Sequence, residues 1–206
     1  MPIVFDLVGQ QWQRKLIVLA VVVVGLGAIM MSRPVSPEDG FLHEAVERSG
    51  MLLILISIVG RTWCAMYIGG RKLTMLVTEG PYSMSRNPLY LFSSMAAFGV
   101  GAQFGSNVIA ALCAVGCVAI FWLVVSHEER ALAQRFPHEF RTYSARVPRF
   151  LPDPCLWQDV DTILVRPALV HRTFRDATLF LLAAVAMKGL EGLRDALVTS
   201  PLFVLY

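Results

Sequence analysis

The sequence predicts an all-α integral membrane protein of about five transmembrane helices, with its functional face at one membrane surface. Three observations carry this. Of 206 residues, 56% are hydrophobic and 16% charged. The mean hydropathy of +0.60 is too high for an ordinary soluble domain. Several uncharged runs approach the roughly 20 residues that a helix needs to cross a bilayer. Finally, basic residues recur at alternate connections between those runs.

Leu16 to Met31 is the first run, preceded by Arg14 and Lys15. Met31-Ser-Arg-Pro-Val does not resemble a cleavage signal, so the run reads as an uncleaved span. Val35 to Arg48 is polar and mixed in charge, a loop with a helix start. Ser49 to Gly70 is the second span, interrupted by Arg61 and followed by Arg71 and Lys72. Leu89 to Phe104 is the third. Gly105-Ser106-Asn107 is a tight turn, and Val108 to Ser126 is a fourth run without charge. So short a link makes the third and fourth spans an antiparallel hairpin. Ala177 to Leu190 reads as a fifth, tilted span rather than a helix lying in the interface.

With a cytoplasmic N-terminus, every basic segment falls on the cytoplasmic side, the Gly80 loop and the segment after Glu128 included. The chain is one membrane domain, with N-terminal spans over 1–75, a core over 76–152 and a C-terminal helix over 153–206. The net charge of +3 comes with no Lys/Arg tract, so no nucleic-acid partner is expected. Of the four cysteines, Cys113 and Cys117 share a helical face. They have no His or acidic neighbour in their run, so they read as apolar filler, with no metal and no disulfide framework expected.

The candidate chemistry gathers at the cytoplasmic face. Gly80 permits a positive φ, Pro81 fixes the next residue, and Pro88 suits the first turn of the third span. Between them lie Tyr82, Arg86 and Asn87, followed by Tyr90. Glu128 and Glu129 close the fourth run, about 100° apart on a helix, so that one can face a pocket while the other pairs with a base. Acids at a helix C-terminus oppose the macrodipole, which removes one ordinary reason for them unless the helix runs on through Phe136. Arg61 lies at a depth where a charge is costly, and either snorkels to the interface or faces the bundle interior near a head group.

These motifs, in their order and spacing, resemble the isoprenylcysteine carboxyl methyltransferase family, which is similar to the membrane phospholipid N-methyltransferases. The matching segments are Val59-Gly-Arg-Thr-Trp-Cys-Ala, Leu76-Val-Thr-Glu-Gly-Pro-Tyr and Ser85-Arg-Asn-Pro-Leu-Tyr-Leu. Then come Glu128-Glu129, Leu132, Phe136, Tyr143 and Val147-Pro-Arg-Phe-Leu-Pro152. The resemblance covers residues 56 to 152.

The resemblance implies an enzyme that transfers methyl from S-adenosylmethionine to the polar head of a lipid or lipidated acceptor, with the cofactor bound at the cytoplasmic face. Carried over by position, Tyr82, Arg86, Asn87, Tyr90, Glu128, Glu129, Tyr143 and Arg146 would hold the cofactor. Glu128, Glu129 and Arg61 would act in catalysis. Asn87 stands where the family usually has His, and can hydrogen-bond but not titrate. Two other readings remain open. One is a sterol-reductase-like NADPH oxidoreductase, although Leu89 replaces that group's Asn. The other is a non-catalytic membrane partner on a degenerate scaffold.

Overall fold

The computed structural model describes residues 32–34, 41–69, 75–197 and 203–205. The first expected span, Leu16 to Met31, lies outside them, as do Arg71 and Lys72. The described chain folds as helices α1 (Phe41–Ile68), α2 (Pro81–Met84), α3 (Pro88–Ala102), α4 (Asn107–Arg135), α5 (Pro137–Arg146) and α6 (Pro167–Leu197). A 3-10 turn at Pro154–Leu156 lies between α5 and α6. A three-residue parallel ladder pairs β1 (Ser32–Pro34) with β2 (Phe203–Leu205), Ser32 opposite Phe203. Otherwise the described fold is helical.

Four helices begin at a proline: Pro81, Pro88, Pro137 and Pro167. The ring fixes φ where an N–H would be orphaned anyway, so proline initiates rather than interrupts. Pro137 also ends α4, because the residue before a proline is disfavoured in helical conformation. Phe136 accordingly adopts φ −131, ψ 61. Residues 127–135, of mixed charge and polarity, continue α4 well past the apolar run. Glu128 and Glu129 are therefore interior to the helix, and the macrodipole argument against them does not apply.

Two described helices are long and apolar enough to cross a membrane, His43–Ile68 and Asn107–Arg135. Helix α3 has 15 residues, about 22 Å at 1.5 Å per residue, against a hydrocarbon thickness of about 30 Å. Helix α6 has 31 residues, but Asp176 and Lys188 bracket its apolar stretch. The described residues thus supply two full-length spans, with α3 and α6 completing the bundle beside them.

Helix α1 packs against α3 and α6, and α4 packs against α3. Small residues let α1 and α3 approach closely, as is common between membrane helices. A Cβ on Gly99 would lie 2.5 Å from the Gly50 carbonyl oxygen, so neither backbone could hold its place. Ser57 donates to the Phe92 carbonyl at 2.6 Å across the same seam. The α3–α4 turn passes through Gly105 at φ 65, and Ser106 caps α4 by accepting from Ile109 N. Ile54, Ile58, Ala177 and Ala184 form the α1–α6 core.

Candidate active site

The loop before α3 and the tail after α5 are laced together by backbone groups. Gly80 N donates to the Gln158 carbonyl at 2.7 Å, and Asp153 N to Met84 O at 3.0 Å. Arg86 N donates to Pro148 O at 2.9 Å, and Ser85 Oγ to Phe150 O at 2.8 Å. Gly80 has φ 56, and a Cβ there would lie 2.3 Å from the Tyr67 ring. Only glycine satisfies both the dihedral and the space. Tyr67 in turn donates to Asp159 Oδ1 at 2.9 Å, and Trp63 stacks on Trp157 at 5.7 Å. The tail is thereby strapped to the end of α1.

This scaffold walls a cavity of about 320 Å³, the size of a small-ligand site. Tyr82, Arg86, Asn87, Tyr90, Glu128, Glu129 and Tyr143 all line it. Leu76, Val77, Leu132 and Phe140 give it apolar walls, and α6 closes one side with Leu169 and Thr173.

Both glutamates line the cavity, and one of them, Glu129, pairs with bases. Their partners differ. Glu129 Oε1 accepts from Asn87 Nδ2 at 3.1 Å and lies 3.3 Å from Arg86 NH1. Its Oε2 lies 3.1 Å from Arg149 Nε. Glu128 Oε1 accepts from the Tyr90 hydroxyl at 2.8 Å. Glu129 is thus clamped between two guanidinium groups, while Glu128 is oriented by a phenol. Asn87 Nδ2 also donates to the Arg149 carbonyl at 3.1 Å. Both its amide hydrogens are therefore used inside the protein, and it positions Glu129 rather than presenting donors to a ligand.

Arg149 was not singled out from the sequence, yet it holds this arrangement. Its guanidinium lies 4.4 Å from the Trp122 ring centroid and 5.5 Å from that of Phe150. It also donates to Ser126 Oγ at 2.8 Å. Cation–π contacts of this kind fix a guanidinium without neutralising it. The only sequence signal was an arginine inside the Val147–Pro152 tail, because its partners lie on α4. Leu169 and Thr173 left no signal at all.

Tyr143 donates to the Tyr82 carbonyl at 2.7 Å. Burial pushes the Tyr143 phenol well up from its usual range, with Arg86 partly opposing and Glu129 adding to the shift. Burial likewise raises Tyr82 well above the ordinary phenol value. Both stay protonated at neutral pH and can donate but not act as bases. The Tyr82 hydroxyl is buried without a hydrogen-bond partner among the described residues. Such an orphan at a cavity wall fits a site built for a polar ligand.

Two expected site residues stand elsewhere. Arg146 is exposed and donates to Gln158 Oε1 at 3.3 Å, so it braces the tail. Arg61 does not line the cavity. It donates to Ser93 Oγ and lies 5.7 Å from the Phe180 ring centroid. It therefore faces the bundle interior, not the aqueous interface. Arg61 sits seven residues before Ile68, a cavity residue on α1, hence about 10 Å deeper at 1.5 Å per residue.

A helical membrane protein with a carboxylate-lined cavity at one end of its bundle is the class these features define. Residues 48–139 match the phospholipid methyltransferase family. The chain is 37% identical over 159 residues to the nickel-cobalt-cadmium resistance protein NccN of Alcaligenes xylosoxydans xylosoxydans, covering 77% of this chain and 74% of that protein. It is 37% identical over 147 residues to the cobalt-zinc-cadmium resistance protein CzcN of Cupriavidus metallidurans, covering 71% and 68%. The chain belongs to the isoprenylcysteine and phospholipid methyltransferase-like family. No solved structure matches it.

Proposed function

We propose that the chain is an integral membrane methyltransferase that uses S-adenosylmethionine to methylate the polar head of a membrane-embedded amphiphile. The observation that carries this reading is the pairing of Glu128 with Tyr90 in a cavity where Glu129 is already neutralised by Arg86 and Arg149. One acid is spent on structure. The other stands at the cavity wall beside the Tyr90 phenol.

The residues fit the cofactor by kind. Glu128 and the Tyr90 ring suit a sulfonium cation, the buried Tyr82 hydroxyl supplies a donor, and Leu76, Val77, Leu132 and Phe140 offer an apolar surface to an adenine ring. When bound, the cofactor supplies an activated methyl group. The chain's own part is to align the reactants and exclude water. For an amine acceptor, Glu128 is the group that takes the proton. An ionised carboxylate or phosphate acceptor needs no base. Arg61 lies about 10 Å deeper, held by Ser93 and Phe180, and takes no part in this reading.

The relatives are named for resistance to nickel, cobalt, cadmium and zinc. For this chain we carry over that setting alone: methylation of a membrane component under metal stress. Among the described residues no group of three or more His, Cys, Asp or Glu side chains could hold a metal ion. The orientation of the chain, with the cavity toward the cytoplasm, follows from the arginines that crowd that end. Calorimetric titration of the purified full chain with S-adenosylmethionine and with NADPH tests the reading. Saturable binding of S-adenosylmethionine alone is expected. Binding of NADPH alone would replace the reading with an oxidoreductase, and binding of neither would leave a scaffold protein.

A further inference from the structure

A second pocket shares Arg86, Glu129 and Phe140 with the cavity and adds Arg130, Arg149 and Ser126. It is shallow and open, about 440 Å³, and walled by Arg86, Arg130, Arg149, Ser126, Glu129 and Phe140. Three guanidinium groups and one carboxylate meet there. Glu129 already neutralises part of Arg86 and Arg149, so positive charge remains in excess. Three guanidinium groups against one carboxylate, in a pocket open to the surface, call for an anion rich in oxygen atoms.

The level of the pocket says which anion. Ser126 ends the uncharged run of α4, and Arg130 begins the polar turns. One turn deeper, Trp122 is 51% exposed, in the manner of interfacial aromatic residues. Below it, Val115 and Val118 continue the same exposed face at helical spacing. A charged head bound at the arginines would lay its hydrocarbon along that face.

We propose that this pocket is a binding site for an anionic phospholipid, with the phosphate held by Arg86, Arg130 and Arg149 and the acyl chains along α4. The proposal does not rest on methyl transfer, and the lipid it describes is held by its phosphate, apart from the cavity where the methyl acceptor would sit. Because Arg86 and Arg149 also clamp Glu129, an occupied pocket would share its cations with the site wall.

The purified full chain in detergent is titrated with dioleoylphosphatidylglycerol, dioleoylphosphatidylcholine and inorganic phosphate, with bound species counted by native mass spectrometry. The phosphatidylglycerol should bind about tenfold or more tighter than the phosphatidylcholine, since two or more arginines at about 1 kcal/mol each distinguish them. Arg130→Ala should weaken its binding about fivefold. Arg130→Lys should keep most of it. Arg130 is exposed, so the fold should be intact in both, as checked by gel filtration. Equal binding of the two lipids, or phosphatidylglycerol binding indifferent to Arg130→Ala, would overturn the site. Displacement of the lipid by an equimolar amount of inorganic phosphate would overturn the lipid assignment in favour of a soluble anion.

Discussion

The two ends of the helical bundle both carry buried polar groups, and they use them in opposite ways. At the end away from the cavity, His43 Nε2 lies 2.9 Å from Glu47 Oε1, and Lys188 of α6 reaches the same carboxylate. Gln103 Nε2 donates to the Glu47 carbonyl at 3.1 Å and to the Gly99 carbonyl at 3.2 Å. The His43 ring fills the space where a Cβ on Gly105 would stand, 2.0 Å away. Those groups join α1, the hairpin turn and α6. At the other end an equally polar set surrounds a cavity, and the Tyr82 hydroxyl there has no hydrogen-bond partner among the described residues. Polar groups consumed by one another hold helices together. Polar groups arranged around a void await a ligand.

The sharpest way to break this contrast lies within the glutamate pair. Glu128→Gln should lower methyl transfer by about 10²-fold or more, the scale of a lost charge-stabilising or proton-moving group, with the unfolding midpoint little changed. Glu129→Ala should do the reverse in kind. It strands Arg86 and Arg149, and breaking a buried pair costs about 3 kcal/mol or more. Denaturant unfolding in detergent reads this cost. If Glu128→Gln unfolds the chain and Glu129→Ala does not, the roles are exchanged.

Next in size is Gly80→Ala. A left-handed φ costs a side-chain-bearing residue about 1–2 kcal/mol before the collision with Tyr67 is counted. The loop should shift, and cofactor affinity should fall more than tenfold, about 1.4 kcal/mol or more. Calorimetry on the variant would show this. Unchanged affinity would mean that the strap over α1 does not shape the cavity.

Tyr82→Phe separates stability from binding. The hydroxyl bonds to nothing among the described residues, so its loss should leave neutral-pH stability unchanged or slightly higher, while cofactor binding weakens by about 0.5–1.5 kcal/mol. The variant should also resist alkali better. A phenol whose folded pKa is raised contributes stability that is fully present below its unfolded value of 10.0 and lost as pH rises toward the folded value. Unfolding midpoints followed from about pH 9 to about pH 11, either side of that ordinary value, would test this. Equal alkaline sensitivity in wild type and variant would remove Tyr82 as its cause.

The smallest effect is expected at the opposite end. Lys188 is 42% exposed at its side chain, so Lys188→Met should cost about 1 kcal/mol or less and leave turnover as it was. A large loss of turnover would show that the two ends are coupled.

Much of this contrast was legible in the chain. The Gly105 turn and the Pro88 start announced the hairpin, because both are local rules of backbone geometry. Tyr82, Arg86, Asn87, Tyr90, Glu128, Glu129 and Tyr143 were named from their motifs, and the structure brings them around one cavity. What was not legible depends on distant partners. Helix α4 continues through nine residues of mixed charge, His127 to Arg135, because tertiary contacts such as Glu129 with Arg86 support them. The part played by Arg149 depends on a ring 27 positions earlier in the chain, Trp122. Asn87 drew attention as a departure from a titratable residue. Its use is geometric, since both its amide hydrogens go to protein acceptors.

The central claim is that the cavity end performs methyl transfer with Glu128. Membranes carrying the full chain, incubated with S-adenosylmethionine labelled in its methyl group and then extracted, test it most directly. Label should appear in the lipid or protein fraction with wild type and fall to background with Glu128→Gln, although the variant still accumulates and folds. Equal labelling by both, or none by wild type above membranes lacking the chain, would contradict the account.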